Sequence, residues 1–162
     1  MTRIAYLLVL AIIVVTIALI VAGQLGFLRG AAPADLGLTE GKLKRPSKTQ
    51  NSVSSQADLW PGHPMASYAQ IAALKTTGDG SADMAKLATV LKAMPRTVIV
   101  KQDANYIYAQ STTALLNFTD DVEFALDAAA GVIHVRSASR LGALDFGVNR
   151  ARVESIRAAM GN

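Results

Sequence analysis

The feature that most constrains this chain is an apolar run near its N-terminus: residues 4–23 carry no charge and are chiefly Leu, Ile, Val and Ala. Extended by residues 25–28, the run is long enough, at about 1.5 Å per helical residue, to cross the roughly 30 Å hydrocarbon core of a bilayer. A cleavable signal peptide has a shorter apolar region, about 7 to 15 residues, followed by small residues at the cut. Here the run is longer, and Pro33 directly follows the small-residue stretch Gly30, Ala31, Ala32. Residues 1–28 therefore read as a retained single-pass anchor that meets the lipid bilayer through residues 4–28. The α-amino group and Arg3 outweigh Arg29 in the charge close to the run, which keeps the N-terminus cytoplasmic. Counting out to Lys42, Lys44, Arg45 and Lys48 reverses that sign. The near count is preferred, and the expected location is a bacterial inner membrane with the C-terminal domain periplasmic.

Beyond the anchor, residues 29–58 are rich in Gly, Ala, Ser, Pro and Lys without apolar periodicity and read as a linker and domain entry. Residues 59–162 then form one domain of ordinary size. The net charge of +4 resembles a nucleic-acid signal until it is placed along the chain. Arg29, Lys42, Lys44, Arg45 and Lys48 crowd the segment after the anchor, whereas from Ser81 onward nine basic residues face eight acidic ones. Such a juxtamembrane basic stretch fits anionic lipid or a solvated linker better than a DNA-binding arm. With no cysteine, thiolate catalysis, disulfides and Cys-ligated zinc are excluded.

The pattern predicts a short helix over residues 65–75 from Tyr68, Ile71 and Leu74. A second helix begins at an N-cap Ser81, with Met84, Leu87, Leu91 and Met94 on one face and Pro95 as its stop. The period then falls to two. Residues 97–101 and 105–113 read as strands, followed by one carrying Val122, Phe124 and Leu126 and another carrying Ile133 and Val135. A loop over residues 128–131 sets Leu126 opposite Ile133, Phe124 opposite Val135 and Glu123 opposite Arg136, the last pair on a wet face. A final helix has Asn149 as N-cap, a staple between Val148 and Val153, and a stripe of Val153, Ile156 and Met160. The fold class is α+β: a transmembrane helix, then a four-stranded antiparallel sheet with helices packed on one face.

Between the last strand and the last helix lies Arg136-Ser137-Ala138-Ser139-Arg140-Leu141-Gly142-Ala143-Leu144-Asp145-Phe146-Gly147-Val148-Asn149-Arg150. Together with Asp120-Asp121-Val122-Glu123-Phe124 and Asn51-Ser52-Val53-Ser54-Ser55, it resembles the signature blocks of the domain-of-unknown-function family 1499 over residues 42–160. The resemblance implies domain boundaries but no reaction, substrate or cofactor. Its pattern usually has cysteine where Ser52 stands and often serine where Leu144 stands, so a thiol role cannot operate here.

Candidate binding residues are Asp120, Asp121, Arg136, Ser137, Ser139, Arg140, Asp145, Asn149 and Arg150. Asp120 and Asp121 could bind a hard cation or move protons, but neighbours on a strand point to opposite faces, and solvation or turn capping accounts for them better. His63 and His134 lack zinc-site spacing, so no metal and no cofactor are expected. Gly142 and Gly147 do not form a dinucleotide fingerprint. Ser137 and Ser139 have no His or Asp partner visible in the sequence. The reading ranked first is a non-enzymatic, membrane-tethered envelope domain for an anionic or polar partner, anionic lipid or a small anion. A hydrolase using Asp120, Asp121 and Asp145 with the Arg-Ser segment ranks second, and a purely structural module third. Arg140 and Arg150 are expected to converge at the N-terminus of the last helix, unless Asp145 or Asp121 neutralises them.

Overall fold

The computed structural model describes residues 2–161. Helix α1 (Arg3–Gln24) has its side chains outward: of its residues only Gly23 is buried, and it is long and apolar enough to cross a membrane. After it come β1 (Ser52–Ser54), a 3-10 turn (Ala57–Leu59), the four-residue α2 (Ala66–Ala69), β2 (Leu74–Lys75) and α3 (Ser81–Ala93). Strands β3 (Thr97–Gln102), β4 (Tyr106–Thr112), β5 (Thr119–Asp127) and β6 (Val132–Ser139) follow, and α4 (Val148–Met160) closes the order.

The sheet has six strands, in the order β1-β6-β5-β4-β3, with β2 beside β1 along the same edge of β6. All pairings are antiparallel. The four strands expected from the two-residue period are present, and the expected register of β5 on β6 holds at Glu123–Arg136, Phe124–Val135 and Leu126–Ile133. The two extra strands lie in stretches with no alternation of their own. β1 falls inside the segment read as linker, and β2 inside the helix expected over residues 65–75. That helix stops at Ala69 because Leu74 pairs with Ile133 and is wholly buried on the edge of β6. Strands this short owe their conformation to the partner edge rather than to intrinsic preference.

The apolar face of the sheet holds the core. Val122, Phe124, Ile133, Val135 and Ile107 are sealed under Met84, Leu87 and Leu91 of α3 and under Val153, Ile156 and Met160 of α4. Both helix stripes match the sequence reading. The starts differ: each helix follows a glycine in the left-handed region, Gly80 at φ 78° and Gly147 at φ 81°, so Ser81 and Asn149 lie inside their helices instead of capping them. Side-chain L-residues rarely adopt that conformation, which explains why glycine stands at both starts.

The opposite face is not wet. Glu123 and Arg136 are 0% and 4% exposed, because residues 29–45 lie across this side of the sheet. Leu43, with Leu36 beside it, packs on Tyr106, Tyr108 and Ala125, and the Gly37 amide donates to Glu123 Oε1 (2.7 Å). The missing apolar period in this stretch reflects a cover of irregular backbone, not a free tether.

Candidate functional site

Strand alternation divides the predicted site residues between the two faces. On the helix side, α4 begins over a polar network. Asp145 Oδ1 accepts from the Gly147 amide (3.0 Å) and from the Tyr68 hydroxyl (2.9 Å), and Oδ2 accepts from the Asn149 amide (3.1 Å) and its Nδ2 (2.8 Å). Asp145 therefore takes the capping role that sequence assigned to Asn149. Burial raises its pKa, but these donors outweigh burial and hold the carboxyl below its ordinary value. Asn149 Nδ2 also donates to Ser139 Oγ (2.9 Å), and Asn149 Oδ1 accepts from Ser137 Oγ (2.6 Å) and Arg152 Nη1 (2.8 Å). Arg152 Nη2 then reaches Asp120 Oδ2 at 2.5 Å.

On the covered side, Arg140 clamps Asp121 through Nε (2.9 Å to Oδ2) and Nη2 (2.7 Å to Oδ1). Its Nη1 donates to the Gly30 carbonyl (3.2 Å), which ties the cover to the sheet. That clamp raises the Arg140 pKa. The Tyr108 hydroxyl donates to Asp121 Oδ1 (2.6 Å), and the Tyr106 hydroxyl to Glu123 Oε1 (2.8 Å). Burial, with the neighbouring carboxylate, raises both phenols above their usual value. Arg136 Nη1 meets Glu123 Oε2 at 3.2 Å, while its Nε is buried without a partner.

Two cavities flank the end of β6, and Ser139 lines both. One, of about 280 Å³, lies between cover and sheet and is lined by Lys44, Arg45, Lys48, Arg136, Arg140 and Asp121, among others. Lys44 is paired with Asp35. Arg45 and Lys48 are exposed and have no side-chain partner among the described residues. The other, of about 250 Å³, opens between Phe118, Leu141, Leu144, Phe146 and Val148, with Asp120 and Asp145 in its wall.

The expected convergence of Arg140 and Arg150 is absent. Arg150 donates to the Tyr68 (2.6 Å) and Gln70 (2.9 Å) carbonyls, whereas Arg140 is held by Asp121 on the other face. Ser137, Ser139, Asn149, Asp145 and Asp120 do share one network. Asp121, Arg136 and Arg140 share the basic cavity. Each of the three aspartates is bound by an arginine or by helix-capping donors.

Sequence reasoning missed Arg152, Tyr106, Tyr108, Lys44 and Arg45 as members of these sites. A signal existed for Arg152: Asp120 shares the parity of Val122 and Phe124, so a buried carboxylate at the core face required a helix-borne cation. A third constellation joins Ser55 Oγ to His134 Nδ1 (3.2 Å), with His134 Nε2 3.8 Å from Asp127 Oδ2. The last distance is too long for a hydrogen bond. Ser55 Oγ accepts from the Val135 amide and Asp127 Oδ1 from the Ala130 amide, so both are occupied structurally. Among the described residues no cluster of three or more His, Asp or Glu side chains is arranged to hold a metal ion.

Comparison with known proteins returns one family, described as "Protein of unknown function (DUF1499)", whose sequence model matches residues 42–160. No curated protein and no solved structure matches. Ser52, where the family pattern usually has cysteine, is fully buried, and its hydroxyl accepts from the Ser47 amide (2.8 Å).

Proposed function

The chain belongs to the DUF1499 family, and from that premise we propose that it is a membrane-tethered, non-catalytic binding module that holds a small anionic group, phosphate or carboxylate, in the basic cavity. The observation that carries the reading is Arg136. It is 4% exposed and lines the cavity, its guanidinium makes a single hydrogen bond to protein, and its Nε is buried without a partner. A buried guanidinium normally satisfies more of its five donors, and an oxyanion is the acceptor that suits the remainder. Lys44 and Arg140 are neutralised within the fold, which leaves Arg45 and Lys48 at the rim to supply the field that draws an anion in.

The tether is α1, and the α-amino group with Arg3, set against Arg29 alone, favours a periplasmic domain at a bacterial inner membrane. Membrane fractions should retain the full-length chain through alkaline washing. Recovery of a shortened soluble chain would overturn the tether, and cytoplasmic activity of a reporter fused after Asn162 would overturn the side.

For the site, the full chain in nanodiscs of zwitterionic lipid is titrated calorimetrically with inorganic phosphate and with acetate. Binding by the wild type, weakened at least about tenfold in the exposed double variant Arg45→Gln/Lys48→Gln, is the expected result, a loss of about 1.4 kcal/mol. Absence of heat with both anions, or equal affinity in the variant, would overturn the site.

A further inference from the structure

Two loops at one end of the sheet, β4–β5 and β6–α4, present apolar side chains to the surface. The β4–β5 turn, residues 113–118, has no ionisable side chain, and in the β6–α4 loop, residues 140–147, the two present are both buried side chains: Arg140, paired with Asp121, and Asp145, the cap of α4. Yet Phe146 is 87% exposed, Leu115 65%, Leu144 48% and Leu141 44%. Phe146 also sits at φ 53°, a left-handed conformation uncommon for an aromatic residue, and one found where a position serves more than packing.

The same end receives the C-terminus of α1. Gln24 Nε2 donates to the Leu115 carbonyl (2.9 Å), and Asn117 Nδ2 to the Gly23 carbonyl (3.2 Å). Gly23 lies so close that a Cβ there would stand 2.5 Å from the Leu116 carbonyl oxygen. Leu25 and Phe27, just beyond the helix, are 68% and 76% exposed. The domain is thus docked on the helix end, with these loops level with the point where the apolar surface of α1 runs out.

We propose that this end of the sheet is a lipid-binding surface: Leu115, Leu141, Leu144 and Phe146 insert into the interfacial layer of the bilayer that α1 spans. The proposal rests on α1 as a membrane span. Continuity with that helix selects lipid as the occupant, since loops fixed beside its exit point enter the headgroup and upper acyl region whenever α1 is inserted. Aromatic and aliphatic side chains without exposed charge suit that depth. The apolar cavity between the same loops opens onto this layer and has room for the end of an aliphatic chain. Val98 and Val100 are also exposed, at 65% and 51%, but they lie on the outer strand β3 between Arg96 and Lys101 and make a natural control.

Because the chain contains no cysteine, single nitroxide labels can be placed without altering other positions. The full-length variants Leu10→Cys, Phe146→Cys, Leu144→Cys and Val98→Cys are labelled and reconstituted in vesicles of phosphatidylcholine with phosphatidylglycerol. Collision with oxygen, which partitions into lipid, is compared with collision with a water-soluble nickel chelate. Leu10, Phe146 and Leu144 should favour oxygen, and Val98 should favour nickel. If Phe146 and Leu144 behave like Val98 while Leu10 remains lipid-exposed, the surface proposal falls and the span stands. Nickel access at Leu10 would remove the span and the proposal with it. Protection of Phe146 and Leu144 from both reagents would show a second copy or another protein on the patch and would equally overturn it.

Discussion

On the helix-covered face of the sheet, Phe124 is sealed among the side chains of α3 and α4; one residue earlier on β5, Glu123 is sealed just as completely beneath irregular chain. The first face is closed by regular helices laying apolar stripes on apolar strand positions. The second is closed by residues 29–45, which bring few apolar side chains and leave Tyr106, Tyr108, Glu123, Arg136, Asp121 and Arg140 to satisfy one another. The apolar cluster there is small: Leu43, the two rings and Ala125, with Leu36 half-buried against it. A face of the first kind stabilises through the area removed from water. A buried ionic face gains little net stability, because desolvation of the charges opposes their attraction, but it specifies what can sit beneath the cover.

The comparison can be broken most directly at Phe124. Phe124→Ala should cost about 3–5 kcal/mol in equilibrium unfolding, the range for deleting a fully buried ring; a loss below about 1 kcal/mol would mean that the helix face is not the main core. On the covered face, Glu123→Gln should cost about 3 kcal/mol by stranding Arg136, whereas Glu123→Gln/Arg136→Met, which keeps an acceptor for Tyr106 and Gly37, should recover most of that loss. Equal losses in the single and double variants would show that the ion pair stabilises as strongly as the apolar core.

Next in size are two limbs of the pH profile, one for each face. Asp145 on the helix side has its folded pKa below 3.8. Its contribution is therefore complete above that value and is lost as pH falls through the depressed one, and Asp145→Ala should remove it together with about 1–2 kcal/mol of helix capping. Tyr106 on the covered side has its folded pKa raised above 10.0. Its contribution is complete below that and is lost as pH rises beyond it, so Tyr106→Phe should flatten the alkaline limb of a melting curve taken against pH while leaving the acid limb alone. The smallest effect belongs to the outer edge: Val98→Thr should change stability by less than about 0.5 kcal/mol.

The two faces were also unequally legible in the sequence. Alternation at Val122, Phe124, Leu126, Ile133 and Val135 carried both the hairpin register and the helix-side core, because a one-residue slip would have turned those side chains to water. The same rule placed Glu123 beside Arg136 but could not tell a covered polar face from a wet one. Which of the two it is depends on residues 29–45, whose path follows no period and is fixed by single long-range contacts such as Gly37 to Glu123. The site residues divided in the same way. Asp145, Asn149, Ser137 and Ser139 form one network around the start of α4, as their closeness in sequence suggested. Arg140 and Arg150, ten positions apart, went to different partners because Arg140 directly follows the last residue of β6 while Arg150 lies beyond the turn, in α4. Arg152 escaped notice because its role depends on Asp120, a residue read for its own chemistry and not for the cation its burial demands.

The clamp of Arg140 on Gly30 has a consequence for the order in which the molecule is made. The two residues are 110 positions apart and the Gly37–Glu123 contact spans 86, so the cover emerges from the ribosome before any of the strands on which it rests. Loop closure over such separations grows only slowly more costly with length, but it must wait for the far end to exist. Residues 29–45 therefore cannot reach these contacts on the sheet until β5 and β6 have been made. Until then the tyrosines and carboxylates of that face lack the cover that residues 29–45 provide.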